Sequence, residues 1–374
     1  MIYFDNAATG GFKPQAAISA AVSVIKYLSA NPGRSGHRLA VTGAKIVENA
    51  RELIGENFNA DPFRVVFTKN CTEALNTAIF GTLKPKRHVI TTVFEHNSVL
   101  RPLGFLQARG DITLDAVAPD KDGDIISAIK EKITDDTYLI VSTAISNVTG
   151  LTLPIEKIGE LAKDRNLLFI VDGAQAGGHI NIDMKKSNIS ALCLAGHKGM
   201  GGIMGSGILI LSDETEVSPL IHGGTGTETF NMIQPKDYPE RLEAGTLNLP
   251  AIAALLEGFR YVSGNVERIG KILTEKTERL IDGLKDIDGV KLYSTPNAGG
   301  IVSFSLENLS SSAAEELLNS EYDVAVRGGF HCAPLTHKFL KTDKDGLIRA
   351  SLSPQNSGRE EDYFLSAIRK MSKN

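Results

Sequence analysis

LLFIVDGAQAGGHINIDMKKSNISALCLAGHKG, residues 167–199, contains two short apolar runs that each end on polar groups: LLFIV on Asp172 and Gln175, ALCLA on His197 and Lys198. Neither run alternates apolar with polar residues. Continuous apolar strands of this length are what a sheet covered by helices on both faces requires. The same texture recurs outward from this stretch. RVVFT, HVITTVF, ITLDAVA and TYLIVSTA precede it and GILILS follows, with helical stretches between them, over about residues 64–212. Strands alternating with helices predict an α/β domain built on a mostly parallel, seven-stranded sheet.

From about residue 250 the texture changes to a long helical pattern, AIAALLEGFRYVSGNVERIGKILTEKTERLIDGLK. Beyond it, VKLYS, GIVSFSL, YDVAVR and LIRASLS read as strands, with helices near SSAAEELLN and REEDYFLSAIRKM, giving a smaller α+β unit. The expected division is an N-terminal segment 1–14 associated with the small unit, a large domain 15–255 and a small domain 256–374.

Composition narrows the function. A net charge of -4, with no block of like charge, leaves no electrostatic footprint for nucleic acid or an anionic membrane surface. No basic leader and no run of about 18 apolar residues occur, so the expectation is a soluble cytoplasmic protein acting on a small molecule. Cys71, Cys193 and Cys332 are too few and too scattered for a disulfide framework or a structural zinc site, and no metal is expected.

Ligands of open α/β sheets bind beyond the carboxyl ends of the strands. Five predicted strands deliver polar residues there: Cys71, Thr72 and Glu73 after RVVFT; Glu95 and His96 after HVITTVF; Ser146 and Asn147 after TYLIVSTA; Asp172 and Gln175; His197 and Lys198. Any one of these is also what an ordinary strand end looks like. Together they supply an amine, an acid, an imidazole, an amide and a hydroxyl at a helix start, which are the parts of a pyridoxal phosphate site. Lys198 would form the Schiff base, Asp172 would keep the pyridine nitrogen protonated, His96 would stack on the ring, and the helix opened by Thr72 would favour the phosphate. A dinucleotide site fits less well, because GMGGIMGSG and HGGTGTE lack a complete glycine fingerprint between strand and helix.

DGAQ at 172–175 followed by AGHKG at 195–199 resembles the class V aminotransferase family, in its cysteine desulfurase and selenocysteine lyase branch. YFDNAAT, NPGRSGH, NCTEALN, EHNS, SNVTG, RLEAGTLN, RGGFHCA and RAS match in order along the chain. The resemblance implies the fold of pyridoxal phosphate enzymes called fold type I, and a homodimer. It assigns the cofactor to Lys198, its ring nitrogen to Asp172, its phenolic oxygen to Gln175, the stacking ring to His96 and a place beside cofactor and substrate to Asn147. For the phosphate it implies Cys71, Thr72, His197 and, from the other subunit, Thr246. Ala195 stands where relatives often carry a hydroxyl, and Cys71 where threonine is usual, so Cys71 is expected to offer its backbone amide.

The RGGFHCAP loop, residues 327–334, resembles the short active-site loop of the group II, SufS-like desulfurases, with Phe330 in place of a commoner histidine. On that resemblance Cys332 is the nucleophile that receives sulfur as a persulfide while L-cysteine becomes L-alanine. His331 and Arg327 would favour its thiolate. Arg349 matches the position that grips the substrate carboxylate, and Arg34 and His37 are further candidates for the substrate pocket. A sulfur-acceptor protein would then be a partner. Alternatives are a selenocysteine or cysteine sulfinate lyase, an aminotransferase, and a noncatalytic pyridoxal phosphate-binding scaffold.

Overall fold

The structure, a computed structural model, describes residues 1–33 and 35–373. Twelve strands are present among them: β1 Ile2–Tyr3, β2 Val65–Thr68, β3 Arg87–Thr92, β4 Ile112–Val117, β5 Thr137–Thr143, β6 Leu168–Asp172, β7 Ala191–Ala195, β8 Gly207–Leu211, β9 Val290–Leu292, β10 Ile301–Leu306, β11 Val324–Ala325 and β12 Ile348–Ser351. The seven strands expected in the large sheet all form, in the order β2-β8-β7-β6-β5-β3-β4. Only β8 runs against its neighbours, so the sheet is mostly parallel.

Burial explains the apolar texture of the strands. Every residue of β5 and β7 is buried. Along β7, Leu192 and Leu194 enter one core while Ala191, Cys193 and Ala195 enter the other, as successive residues of a strand must. Helices Arg38–Phe58, Ile155–Asp164 and Leu249–Ser263 cover the first face; helices Cys71–Gly81 and Asn97–Ala108 cover the second. The edge strand β4 is the exception: most of its residues are half-buried or exposed.

The helical pattern after residue 250 is broken into two helices, Leu249–Ser263 and Val266–Lys285, because Gly264 and Asn265 interrupt it. The first runs unbroken across the expected division at 255/256. Its Phe259 and Val262 pack into the large core with Leu255, and the change of core falls later, between Val266 and Leu273.

A second core lies under the antiparallel sheet β12-β10-β9, where Phe4, Phe304 and Phe364 meet edge to face. The chain's first residues join this unit: β1 pairs in parallel with β11, and Asp5 bridges Ser351. They also reach the large sheet, for Gly10 N–H and Lys13 Nζ donate to the carbonyl of His197 at 3.0 and 2.7 Å. Among the described residues, no helix is long and apolar enough to cross a membrane.

Candidate active site

Because β2, β3, β5, β6 and β7 point the same way, the turns that follow them gather at one edge, where they enclose a cavity of about 240 Å³. Cys71, Thr72, His96, Asn147, Asp172, Gln175, His197, Lys198 and Arg349 all line it.

Lys198 is presented by the turn after β7. Glycine must follow it: a Cβ on Gly199 would stand 2.4 Å from the Gly177 carbonyl oxygen. Burial pushes the Lys198 amine below its usual range, against the opposing charge of Asp172. A lysine so placed has more of the neutral, nucleophilic amine.

Asp172 closes β6 and is 4% exposed. Its Oδ1 accepts from the Ala174 N–H at 2.9 Å and from the Cys71 thiol at 3.6 Å. The Cys71 side chain is thus engaged with the acid, where only its backbone amide was expected to matter. Gln175, also buried, donates from Nε2 to the Ala7 carbonyl at 2.9 Å.

Asn70 caps helix Cys71–Gly81 by accepting from the Glu73 N–H, which leaves the first-turn amides of Cys71 and Thr72 at the cavity wall. Unpaired N–H groups at a helix start make an anion site. Thr72 Oγ1 lies 2.7 Å from Ser98 Oγ, which lies 2.9 Å from His96 Nδ1. His96 in turn caps helix Asn97–Ala108 by accepting from the Ser98 N–H at 3.0 Å. Burial pushes its pKa down to about 4, so the ring is neutral. His197, 3.0 Å from Thr9 Oγ1, is pushed down to about 4 by burial and then by the charges of Lys198 and Lys13.

Arg349, on β12, is 1% exposed. It donates to the Asn147 carbonyl at 3.0 Å and to Asp5 Oδ1 at 2.8 Å, and its buried Nε has no partner among the described residues. An unspent donor on a buried cation that lines a cavity is an anion-binding group, and a guanidinium suits a carboxylate.

Cys332 lies outside the cavity wall but is fastened to it. Asn147 Nδ2 donates to the His331 carbonyl and the Asn97 N–H to the Cys332 carbonyl, each at 2.7 Å. Arg327, itself a cavity residue, brings Nη2 to 3.7 Å from the sulfur. His331 and Cys332 hold positive φ of 47° and 58°, a conformation costly for side-chain-bearing residues and therefore imposed by these attachments. His331 does not supply a cation: it is buried, its Nε2 faces the Leu347 carbonyl at 3.1 Å, and burial holds its pKa well below the imidazole range. The nearby positive charge is Arg327 alone of the two.

Thr246 sits elsewhere, in a groove with Lys69, Leu220 and Glu243, where it accepts from Asn31 Nδ2 at 3.3 Å. His37 caps helix Arg38–Phe58 through the Ala40 N–H. Arg34 lies outside the described residues. Three participants escaped the sequence reading of the site: Ser98, Asp5 and Arg327 as a cavity residue. The first two stand inside EHNS and YFDNAAT, but a hydroxyl or acid within a motif announces no partner.

A family model described as class-V aminotransferase matches residues 2–364. The chain belongs to the class-V aminotransferase family. Proteins similar to it include one named probable cysteine desulfurase from Pyrococcus abyssi, 32% identical over 391 residues that cover 100% of this chain and 94% of the relative. A protein named cysteine desulfurase IscS from Vibrio vulnificus is 31% identical, covering 98% and 92%. Among solved structures, the apo structure of cysteine desulfurase from Thermococcus onnurineus NA1 superposes with a TM-score of 0.92 at 31% identity, covering 100% of this chain and 94% of that one.

Proposed function

We propose that this class-V enzyme is a cysteine desulfurase, which converts L-cysteine to L-alanine and keeps the sulfur as a persulfide on Cys332. The observation that carries the reading is the joining of two chemistries at one cavity: a depressed lysine amine facing a buried acid, and a thiol tied to the same wall through Arg327, Asn147 and Asn97. The names of the relatives point the same way.

The donor set fits pyridoxal phosphate. Lys198 offers an amine to its aldehyde, Asp172 an acid to its ring nitrogen, Gln175 and Asn147 amides, His96 a neutral ring, and the start of helix Cys71–Gly81 with Thr72 and His197 a phosphate seat. Ala195 offers no hydroxyl there; Ser98 stands beside Thr72 and can make up for it. When bound, the cofactor supplies an electron sink for charge developing at the substrate α-carbon.

The chain's own groups do the rest. Arg349, through its unspent Nε, takes the substrate carboxylate and fixes the amino acid's orientation. Lys198 Nζ moves the proton at the α-carbon, a task suited to an amine held below its usual range. His96 stays uncharged and adds no cation to the ring face. Cys332 Sγ, with Arg327 beside it, attacks the substrate sulfur; an S–S bond forms, the C–S bond breaks, and the carbon gains a proton to leave as alanine. The overall exchange of a thiol and cysteine for a persulfide and alanine needs no outside oxidant.

The reading extends to a cytoplasmic homodimer that hands its sulfur to an acceptor protein. Phe230, Met232 and Ile233, 100%, 99% and 76% exposed in one segment, support a subunit contact on that segment. The deciding experiment is treatment of the holoenzyme with L-cysteine, followed by alanine measurement and mass spectrometry. A sulfur adduct on Cys332 in step with alanine is expected; alanine without an adduct on any cysteine overturns the reading.

A further inference from the structure

The Cys71 side chain, which takes no part in the steps above, is 8% exposed and faces Asp172, the one acid among the described residues that line the cavity. Its Sγ lies 3.6 Å from Asp172 Oδ1, within the reach of a sulfur donor, and Oδ1 also receives the Ala174 N–H at 2.9 Å. Both donors therefore converge on one oxygen. Oδ2 takes no donor from the described residues. The neighbourhood fixes this arrangement, because Cys71 is the first residue of a helix whose cap, Asn70, sets its orientation, and Cys193 pairs with Asp172 on the adjoining strand.

We propose that Cys71 is a positioning residue for Asp172: its S–H, with the Ala174 N–H, occupies Oδ1 and so holds Oδ2 as the oxygen offered to the ring nitrogen of the cofactor. The inference rests on the pyridoxal phosphate reading for its function, though not for the contact itself. The alternative role, a second sulfur acceptor, conflicts with the setting. Burial and the Asp172 charge push the Cys71 thiol well above its usual range, so it remains a donor and a poor nucleophile. Sulfur chemistry is thereby kept on Cys332 although it is Cys71 that lines the cavity.

The contact can be read without cofactor. In the full-length apoprotein, a Raman S–H stretching band assigned by its loss in Cys71→Ser should lie below that of an unbonded thiol and move up in Asp172→Ala. A band unmoved by Asp172→Ala overturns the contact. The function is read on the protein loaded with pyridoxal phosphate, by absorbance titration of the Lys198-linked cofactor. Cys71→Ala, which removes the donor without adding bulk, should shift the midpoint by about half a pH unit or more, and Cys71→Ser, which restores a donor, should bring it back. Identical midpoints in all three proteins overturn the positioning role. If the unaltered protein takes up no pyridoxal phosphate, the cofactor reading falls, and the positioning role with it, while the Raman result still decides the contact.

Discussion

Arg349 and Asp5 form an ion pair of 2.8 Å in which the arginine is 1% exposed and the aspartate, bridged to Ser351, reaches it from the opposite end of the chain. The pair leaves Nε of Arg349 free while setting the plane of the guanidinium. Truncating one member of such a pair strands a buried charge.

Asp5→Asn is therefore expected to raise KM for L-cysteine about tenfold, equivalent to about 1.4 kcal/mol, with a smaller effect on kcat. Urea denaturation should show a stability loss of about 2 kcal/mol, less than a fully buried pair because Asp5 is partly exposed. An unchanged KM would separate Arg349 from carboxylate binding.

Arg327 brings Nη2 to 3.7 Å from the Cys332 sulfur, a contact through which the guanidinium can steady the attacking thiol. Arg327→Leu should slow alkylation of Cys332 by iodoacetamide at pH 7 about tenfold. His331→Asn should leave that rate within about twofold, since the histidine is neutral and turned toward Leu347. Peptide mapping keeps Cys71 and Cys193 out of the measurement.

The division between amine and thiol gives a paired outcome. Lys198→Ala should lose the cofactor-linked absorbance and all turnover. Cys332→Ala should load cofactor normally and form no alanine from cysteine. Full desulfuration by the second variant would move the sulfur acceptor elsewhere.

Glu95 is fully buried at the end of β3, accepting from Thr92 Oγ1 at 2.6 Å and the Thr143 N–H at 2.9 Å, while its other oxygen has no partner among the described residues. Burial pushes its pKa up to about 8, so the folded protein holds a proton that the unfolded chain releases near 4.5. The stability due to that proton is complete below the unfolded value and is lost as pH rises toward 8. His179, His331 and His337 have the opposite sign: burial pushes them down, and stability is lost as pH falls below about 6.5. Between about 6.5 and 8 the Glu95 slope stands alone among these four. Glu95→Gln should flatten the decline of the urea midpoint over that interval and steepen its rise between about 4.5 and 6.5, where the Glu95 and histidine slopes oppose each other, leaving the slope below about 4.5 unchanged.

The large sheet was legible because its strands, the edge strand β4 excepted, are buried on both faces and therefore mostly apolar, and because the polar groups that end the parallel strands share one edge. What was not legible depended on contacts distant in sequence. β1 has two residues and exists only through β11. The pairing of Asp5 with Arg349 leaves no local signal, and the engagement of Cys71 with Asp172 needs two strand ends to meet in space. Helix Pro334–Leu340, which buries Thr336 and His337, was hidden behind the proline and polar residues of PLTHKFL. Phe330, which stands where a histidine is commoner, packs edge to face on the ring of His337 at 5.5 Å.

The stitching of the N-terminal residues to both units has a consequence for how the protein is made. Asp5 and Arg349 are 344 residues apart, so the contact of this segment with the small unit can form only once both ends of that span have been made. Closing a loop of that length is entropically slow to begin, although the cost grows only logarithmically with length. The same segment supplies Thr9 and Lys13 to the turn that carries Lys198. Those two contacts span 188 and 184 residues, so the segment can reach the turn that carries Lys198 before the partner of Asp5 exists.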